Sequence, residues 1–143
     1  MIDAVATANK ELVRRFYRDV YVDWNMSAVD DAIAPQFRSH DWPQSGATGP
    51  AAFRDYYRTF RATVPDARYE VDDLIAEGDR VVVRWRMFGT HEGEFRGIAP
   101  THRRIELKGI AIYRVQAGKL AERWVVSDLH GVLEQIGGRD APH

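Results

Sequence analysis

The carboxylate best suited to chemistry in this sequence is Asp128, at the end of a predicted strand over residues 119–128. Because side chains alternate along a strand, one face should carry Leu120, Glu122, Trp124, Val126 and Asp128. An ionised carboxylate without a partner is costly among apolar neighbours. Asp128 is therefore expected either to cap the helix that follows or to serve as an acid/base in an apolar pocket.

His40 is the second candidate for a catalytic role. It is expected either to hydrogen-bond a substrate oxygen and orient Asp128, or to be a structural histidine bound to a backbone carbonyl. His91 and His102 lie in a glycine-rich connection and are expected at the surface, and His130 at a pocket mouth or in solvent. None of these histidines has the spacing of a ligand set, so no metal is predicted.

Five aromatic residues are candidates for the wall of a substrate pocket. Trp24 and Trp42 lie in predicted loops, where binding residues are common. Trp124 should line any pocket that Asp128 lines, because the two share a predicted strand face. Tyr17 and Tyr57 belong to helical stripes, which more often form core.

The chain has 143 residues, a net charge of −1 and no cysteine. This length fits one domain, predicted over residues 1–138, with a frayed tail over residues 139–143. The charge gives no basic footprint for nucleic acid, and the lack of cysteine excludes disulfides and thiol nucleophiles. No apolar run approaches the roughly 20 residues of a membrane span, and no signal pattern is present, so a cytoplasmic protein is expected.

Helical patterns fill the first half of the chain. Apolar residues recur at helical spacing over residues 3–21, and an aromatic-rich helix follows Thr48 and ends at Pro65. Between them, Ser27 is predicted to cap a short helix that ends before Pro35, and residues 37–42 form a short extended piece.

The second half alternates with a period of two. Four sequential antiparallel strands are predicted over residues 68–76, 80–90, 103–115 and 119–128, followed by a short helix over residues 129–136. Helices followed by strands indicate an α+β fold with the helices on one face of the sheet. Gly89 and Gly109 should let the sheet curve into a cone, whose mouth is the natural pocket.

A series of short segments recurs along most of the chain in a characteristic order and spacing: residues 37–41, Gly49-Pro50, 73–81, Gly89-Thr90-His91, Gly93, Phe95, Gly97-Ile98, Pro100-Thr101, 109–114 and 118–128. In these segments the chain resembles the SnoaL-like polyketide cyclases, within the wider group similar to nuclear transport factor 2 and ketosteroid isomerase.

The resemblance implies a cone-shaped α+β barrel, often paired as a homodimer through the open sheet face. It also implies intramolecular aldol ring closure of a polyketide-like apolar substrate without a cofactor. Asp128 matches the acid/base aspartate of the cyclases, and His40 matches a polar pocket residue. Two departures stand out: the penultimate strand lacks the histidine that those enzymes use, and His102 replaces a usual glycine.

A cyclase acting on a polyketide-like small molecule is therefore the predicted function. One alternative is another enzyme on the same fold, such as an isomerase, an epoxide hydrolase or a hydroxylation-associated protein. A second alternative is a non-catalytic module that binds a hydrophobic ligand, since a fold alone does not determine activity.

Overall fold

The computed structural model of the chain describes residues 3–43 and 46–137, so the predicted tail over residues 139–143 lies outside the described residues. In chain order the elements are α1 Ala4–Phe16, a π-helical segment Tyr17–Val22, α2 Ser27–Ala32, β1 Ile33–Ser39, α3 Gly49–Thr63, β2 Arg68–Glu77, β3 Arg80–Thr90, β4 Arg104–Gln116, β5 Lys119–Ser127 and α4 Leu129–Gln135.

The first helix begins where the sequence places it but changes its winding at the end. Asp3 caps α1, and its Oδ1 accepts hydrogen bonds from the backbone N–H groups of Val5 at 3.0 Å and Ala6 at 3.1 Å. The last predicted turn is the π-helical segment, which buries Tyr17 and Tyr21 together on one side. Helices with this wider winding often occur at functional sites.

The region after Trp24 differs from the prediction in two details. Ser27 is the first residue of α2 rather than its cap, and Asn25 Oδ1 accepts the Ser27 N–H at 3.2 Å. β1 begins at Ile33 and contains Pro35, whereas the extended piece was predicted to begin at residue 37. This is possible because β1 is an edge strand, where a residue without an N–H donor is tolerated.

The sheet has five strands in the order β1-β5-β4-β3-β2. The four predicted strands pair antiparallel as expected, and β1 adds a fifth by running parallel to β5. The helices cover its concave face, which confirms the predicted cone-shaped α+β fold.

A bulge in β5 reverses the predicted face of that strand. The pairing with β4 skips Ala121, because Leu120 and Glu122 pair with consecutive residues of β4. Leu120 and Ala121 are therefore both buried, and beyond them the inward face passes to Arg123. A one-residue shift exchanges the two faces of a strand, so the predicted pocket face after Leu120 is the outer face.

The two strand glycines make room for large neighbours. A Cβ at Gly109 would lie 2.2 Å from a ring carbon of Trp85, and a Cβ at Gly89 would lie 2.2 Å from Val64 Cγ1. Both positions therefore require glycine because another residue approaches closely. The Trp85 indole can then lie over β4 and contribute to the wall of the cone's interior.

Candidate active site

A cavity of about 310 Å³ lies between the helices and the concave face of the sheet. Its wall is mostly apolar and aromatic, as in many small-molecule sites. Among the described residues, the polar side chains in this wall come from different elements: Asp41, Thr63, His91, Arg123, Ser127 and the tyrosines 17, 21, 56, 57, 69 and 113.

Four of these tyrosines are neutral hydrogen-bonding groups because they are buried. Burial raises the pKa of Tyr17, Tyr21, Tyr57 and Tyr69 above the usual value of a phenol. The hydroxyls of Tyr17 and Tyr113 lie 3.0 Å apart and pair with each other. The four tyrosines with a raised pKa therefore offer O–H groups and not phenolate bases.

Arg123 is the buried cation of the site, with only 8% of its surface exposed. Its Nε donates to Ser39 Oγ at 2.8 Å, and its Nη1 donates to the Tyr21 hydroxyl at 3.0 Å. Burial by itself would lower the pKa of Arg123, but Tyr21, Tyr113 and Asp41 outweigh that effect and raise it. The guanidinium therefore stays charged inside an apolar cavity.

Asp41 supplies a carboxylate beside this cation. Its Oδ1 lies 3.7 Å from Arg123 Nη2 and accepts a hydrogen bond from the Ser39 hydroxyl. The side chain keeps 40% of its surface exposed, so it lies where the cavity meets solvent. Among the described residues that line the cavity, Asp41 is the one acid.

His91 is buried, which corrects its predicted surface position. Only 1% of its surface is exposed, and its ring contributes to the cavity wall. The ladder between β3 and β4 continues past Thr90, because His91 N donates to Arg103 O at 2.9 Å and His102 N donates to His91 O at 2.9 Å. His91 thus keeps the inward orientation of alternate β3 residues such as Met87.

Asp128 does not lie in the cavity wall, which corrects the predicted orientation of its side chain. It is exposed and caps α4, where its Oδ1 accepts the Gly131 N–H at 2.9 Å. The cause is the bulge at Ala121, which turns this carboxylate to the outer side of β5. The structure thus matches the capping alternative for Asp128.

As a helix cap, Asp128 should tolerate asparagine better than alanine. Asparagine accepts the same backbone hydrogen bond, whereas alanine leaves the Gly131 N–H without its partner. We expect Asp128→Ala to lower the free energy of unfolding by about 1 kcal/mol and Asp128→Asn to change it by a few tenths. Urea denaturation measures both, and equal losses in the two variants would contradict the capping role.

His40 also lies outside the cavity wall, on the outer face of the sheet. Its Nε2 is 2.6 Å from Glu122 Oε2, and its ring stacks on Trp124 with centroids 4.9 Å apart. Hydrogen bonds from His40 and then Arg114 lower the pKa of Glu122. His40 therefore does not contact Asp128 in the arrangement expected from the sequence.

The predicted substrate-binding residues divide into two groups. Tyr17, Tyr57 and Trp42 line the cavity. Trp24 stacks on Tyr57 with ring centroids 5.1 Å apart but is not itself part of the lining. Trp124 is on the outer face with His40, again because the bulge exchanges the faces of β5.

The sequence-based prediction missed Arg123, Asp41 and the inward role of His91. A period of two from Val81 through His91 was visible in the sequence and could have indicated the orientation of His91. Arg123 and Trp124 are adjacent in β5 and point to opposite faces of the sheet. The bulge at Ala121 decides which of the two points inward, and the sequence gives no signal for that bulge.

Two further searches concern the described residues alone. Residues 3–43 and 46–137 contain no group of three or more His, Asp or Glu side chains arranged to hold a metal ion. No helix within these ranges is both long and apolar enough to cross a bilayer.

The sequence profile of the SnoaL-like polyketide cyclases matches residues 11–136. No curated protein matches the chain. Among solved structures, TsrD from Streptomyces laurentii is 28% identical with a TM-score of 0.81, over 96% of this chain and 98% of that one. A proposed polyketide cyclase from Acidithiobacillus ferrooxidans is 28% identical with a TM-score of 0.82, over 98% and 100%.

A further solved structure, AclR from Streptomyces galilaeus, is described as a proposed hydroxylase. It is 27% identical with a TM-score of 0.78, and the match covers 93% of this chain and 83% of that one. The family profile covers most of the chain. The fold agrees both with a structure described as a proposed polyketide cyclase and with one described as a proposed hydroxylase. The chain therefore belongs to the SnoaL-like polyketide cyclase family.

Proposed function

We propose that the protein is a cyclase that closes a ring by aldol chemistry within a polyketide-like apolar substrate, using acid/base catalysis and no cofactor. The observation that carries this proposal is a carboxylate beside a buried guanidinium in the wall of an aromatic cavity. Asp41 thus takes the role that the sequence suggested for Asp128.

The first step is the formation of an enolate. Asp41 removes a proton from a carbon between two carbonyl groups, and the electron pair of that C–H bond moves onto a carbonyl oxygen. An N–H group of Arg123 and the O–H group of Tyr21 stabilise the new oxyanion. Tyr21 can donate because its oxygen already accepts a hydrogen bond from Arg123, which leaves its own proton free.

The second step closes the ring. The enolate carbon attacks a second carbonyl of the same molecule, a C–C bond forms, and the resulting alkoxide takes the proton back from the carboxyl group of Asp41. Substrate and product are isomers, so the reaction needs no other reactant. The cavity contributes by folding the substrate and excluding water from the enolate.

Two features support this assignment of roles. The guanidinium has five N–H groups. If the hydroxyls of Ser39, Tyr21 and Tyr113 each accept one, two remain for a substrate oxygen. The buried position of Arg123 strengthens these interactions relative to water, which is the condition under which oxyanion stabilisation is effective.

The test is a ring-closure assay with a panel of aryl β-keto esters that carry a second ketone at the distance of a six-membered ring. We expect the purified protein to convert at least one of them to an isomer of unchanged mass and shorter-wavelength absorption, measured by chromatography with mass detection. If the compounds bind but none reacts faster than in buffer, the protein is a binding module and the proposed activity is wrong.

We also propose a homodimer through the outer face of the sheet. Four apolar residues face one another across β2, β3, β4 and β5 in one row: Ile75, Val82, Ile112 and Trp124. Ile110 and Val126 form a neighbouring pair, and Val126 is 78% exposed. Apolar surface of this kind is typical of an interface.

A second copy of the chain fits this face because the charges that border it include both signs. The adjacent row contains two acids and three arginines paired across the strands, in the order Glu77, Arg80, Arg114, Glu122 and Arg38. On the other side of the apolar row, Arg84 donates to Asp73 at 2.5 Å. A twofold axis through the apolar row would place the charged border of one chain against the same border of the second chain. Because that border contains both signs, acids of one chain can pair with arginines of the other.

Val126→Arg should convert the dimer to a monomer, because it places a charge at the most exposed of these apolar residues. We expect the wild-type protein to sediment near twice the chain mass of 16.4 kDa and the variant near that mass itself. Val5→Arg is the control, since Val5 is 61% exposed on α1, away from the sheet. A monomeric wild-type protein, or equal effects of both substitutions, would contradict the proposal.

A further inference from the structure

His91 lines the cavity and has a buried ring nitrogen without a hydrogen-bond partner among the described residues. This nitrogen is Nε2. Leaving such a group unpaired costs free energy, and buried polar atoms in folded proteins nearly always have a partner. The proposed chemistry at Asp41 does not use this atom.

The hydrogen bonds of the other ring nitrogen determine what Nε2 can do. The backbone N–H of Thr101 donates to His91 Nδ1 at 3.2 Å, and Thr101 Oγ1 lies 2.9 Å from the same nitrogen. Because Nδ1 accepts the backbone hydrogen bond, we assign the proton of the neutral ring to Nε2. The buried Nε2 is therefore an N–H donor that needs an acceptor.

This donor and the Arg123 site lie at different ends of the cavity. Arg123 pairs with Tyr113, which pairs with Val81 at the start of β3. His91 follows the last residue of that strand. The wall between the two ends is apolar and aromatic, with Trp85 and Met87 on β3 and Ala111 and Leu107 on β4.

We infer that the Nε2–H of His91 binds a carbonyl or ether oxygen of the substrate at the end remote from the reacting dicarbonyl. The inference rests on the proposed function, which places the reacting dicarbonyl of the substrate at the Asp41 end of the cavity. Binding one acceptor oxygen there fixes which way round the substrate enters and which carbonyl reaches Asp41. His91 is thus a specificity-determining residue, and the substrate class is an aromatic body with an acceptor oxygen at its far end.

The experiment compares two probes that differ only in that oxygen, 2-acetonaphthone and 2-isopropenylnaphthalene. Binding is measured by quenching of tryptophan fluorescence. We expect the wild-type protein to bind the ketone about tenfold more tightly than the alkene, as for one buried hydrogen bond. His91→Leu should abolish this preference, whereas His130→Leu, at an exposed histidine of α4, should keep it.

Two further arms separate the possible outcomes. Tyr21→Phe should keep the preference for the ketone. If Tyr21→Phe loses the preference and His91→Leu keeps it, the ketone oxygen binds at the Arg123 end of the cavity and the inference is wrong. In the wild-type protein, ¹⁵N spectroscopy should show a protonated Nε2 whose resonance shifts with the ketone and not with the alkene. An Nδ1-protonated ring, or no such shift, would also overturn it.

The binding readout does not depend on turnover. Asp41→Asn, which should stop ring closure, is expected to keep the preference for the ketone. A protein that prefers the ketone through His91 but closes no ring would contradict the proposed function alone. A protein that closes rings with no such preference would contradict the role of His91 alone.

Discussion

Asp41→Asn is expected to lower the turnover number for ring closure by about a hundredfold or more, the contribution of one positioned acid/base. The amide has the shape of the carboxylate but cannot accept the substrate proton. It can still accept the hydrogen bond from Ser39, so the local structure should persist. Turnover and KM are measured on the ring-closing substrate, and the fall should be in turnover.

Asp128→Asn is the matched control, because it makes the same change in a carboxylate outside the cavity wall. We expect this variant to keep turnover near that of the wild-type protein. The opposite result, a large loss with Asp128→Asn and none with Asp41→Asn, would restore the hypothesis drawn from the sequence. The two variants therefore decide which aspartate performs the proton transfer.

The general fold was predictable because it depends on patterns that the sequence carries locally. The period-two alternation from Arg68 onward and the turns at Gly78 and Gly118 specify four antiparallel strands. Gly89 and Gly109 within long strands predicted the curvature into a cone, and the family resemblance implied the same shape. The strand β1 was harder to predict, because an edge strand containing Pro35 has few of the residues that mark a strand.

The candidate site was less predictable because one unpaired residue decides its composition. Without Ala121 as a bulge, alternation places Trp124 and Asp128 inside and Arg123 outside. A bulge depends on how two strands twist together and has no signal in the strand's own composition. The same reversal that moved Asp128 to the surface brought Arg123 into contact with Ser39 and Tyr21, which are far from it in sequence.

The inward position of Arg123 leads to the second large expected effect. Arg123→Met removes the N–H groups that we propose to stabilise the enolate oxygen while keeping a long apolar side chain. The loss of such a donor costs about a hundredfold to a thousandfold in turnover. Arg84→Met is the control, because Arg84 pairs with Asp73 on the outer face, where an exposed ion pair contributes little.

Stability must be measured beside turnover, because Arg123 also holds the hydroxyls of Ser39 and Tyr21. Breaking a buried ion pair costs about 3–5 kcal/mol, and we expect the lower end since Asp41 keeps contact with water. Tyr21→Phe tests the same oxyanion with little loss of structure, because it removes one donor and leaves the guanidinium in place. Turnover near the wild-type value in both folded variants would show that the enolate oxygen lies elsewhere.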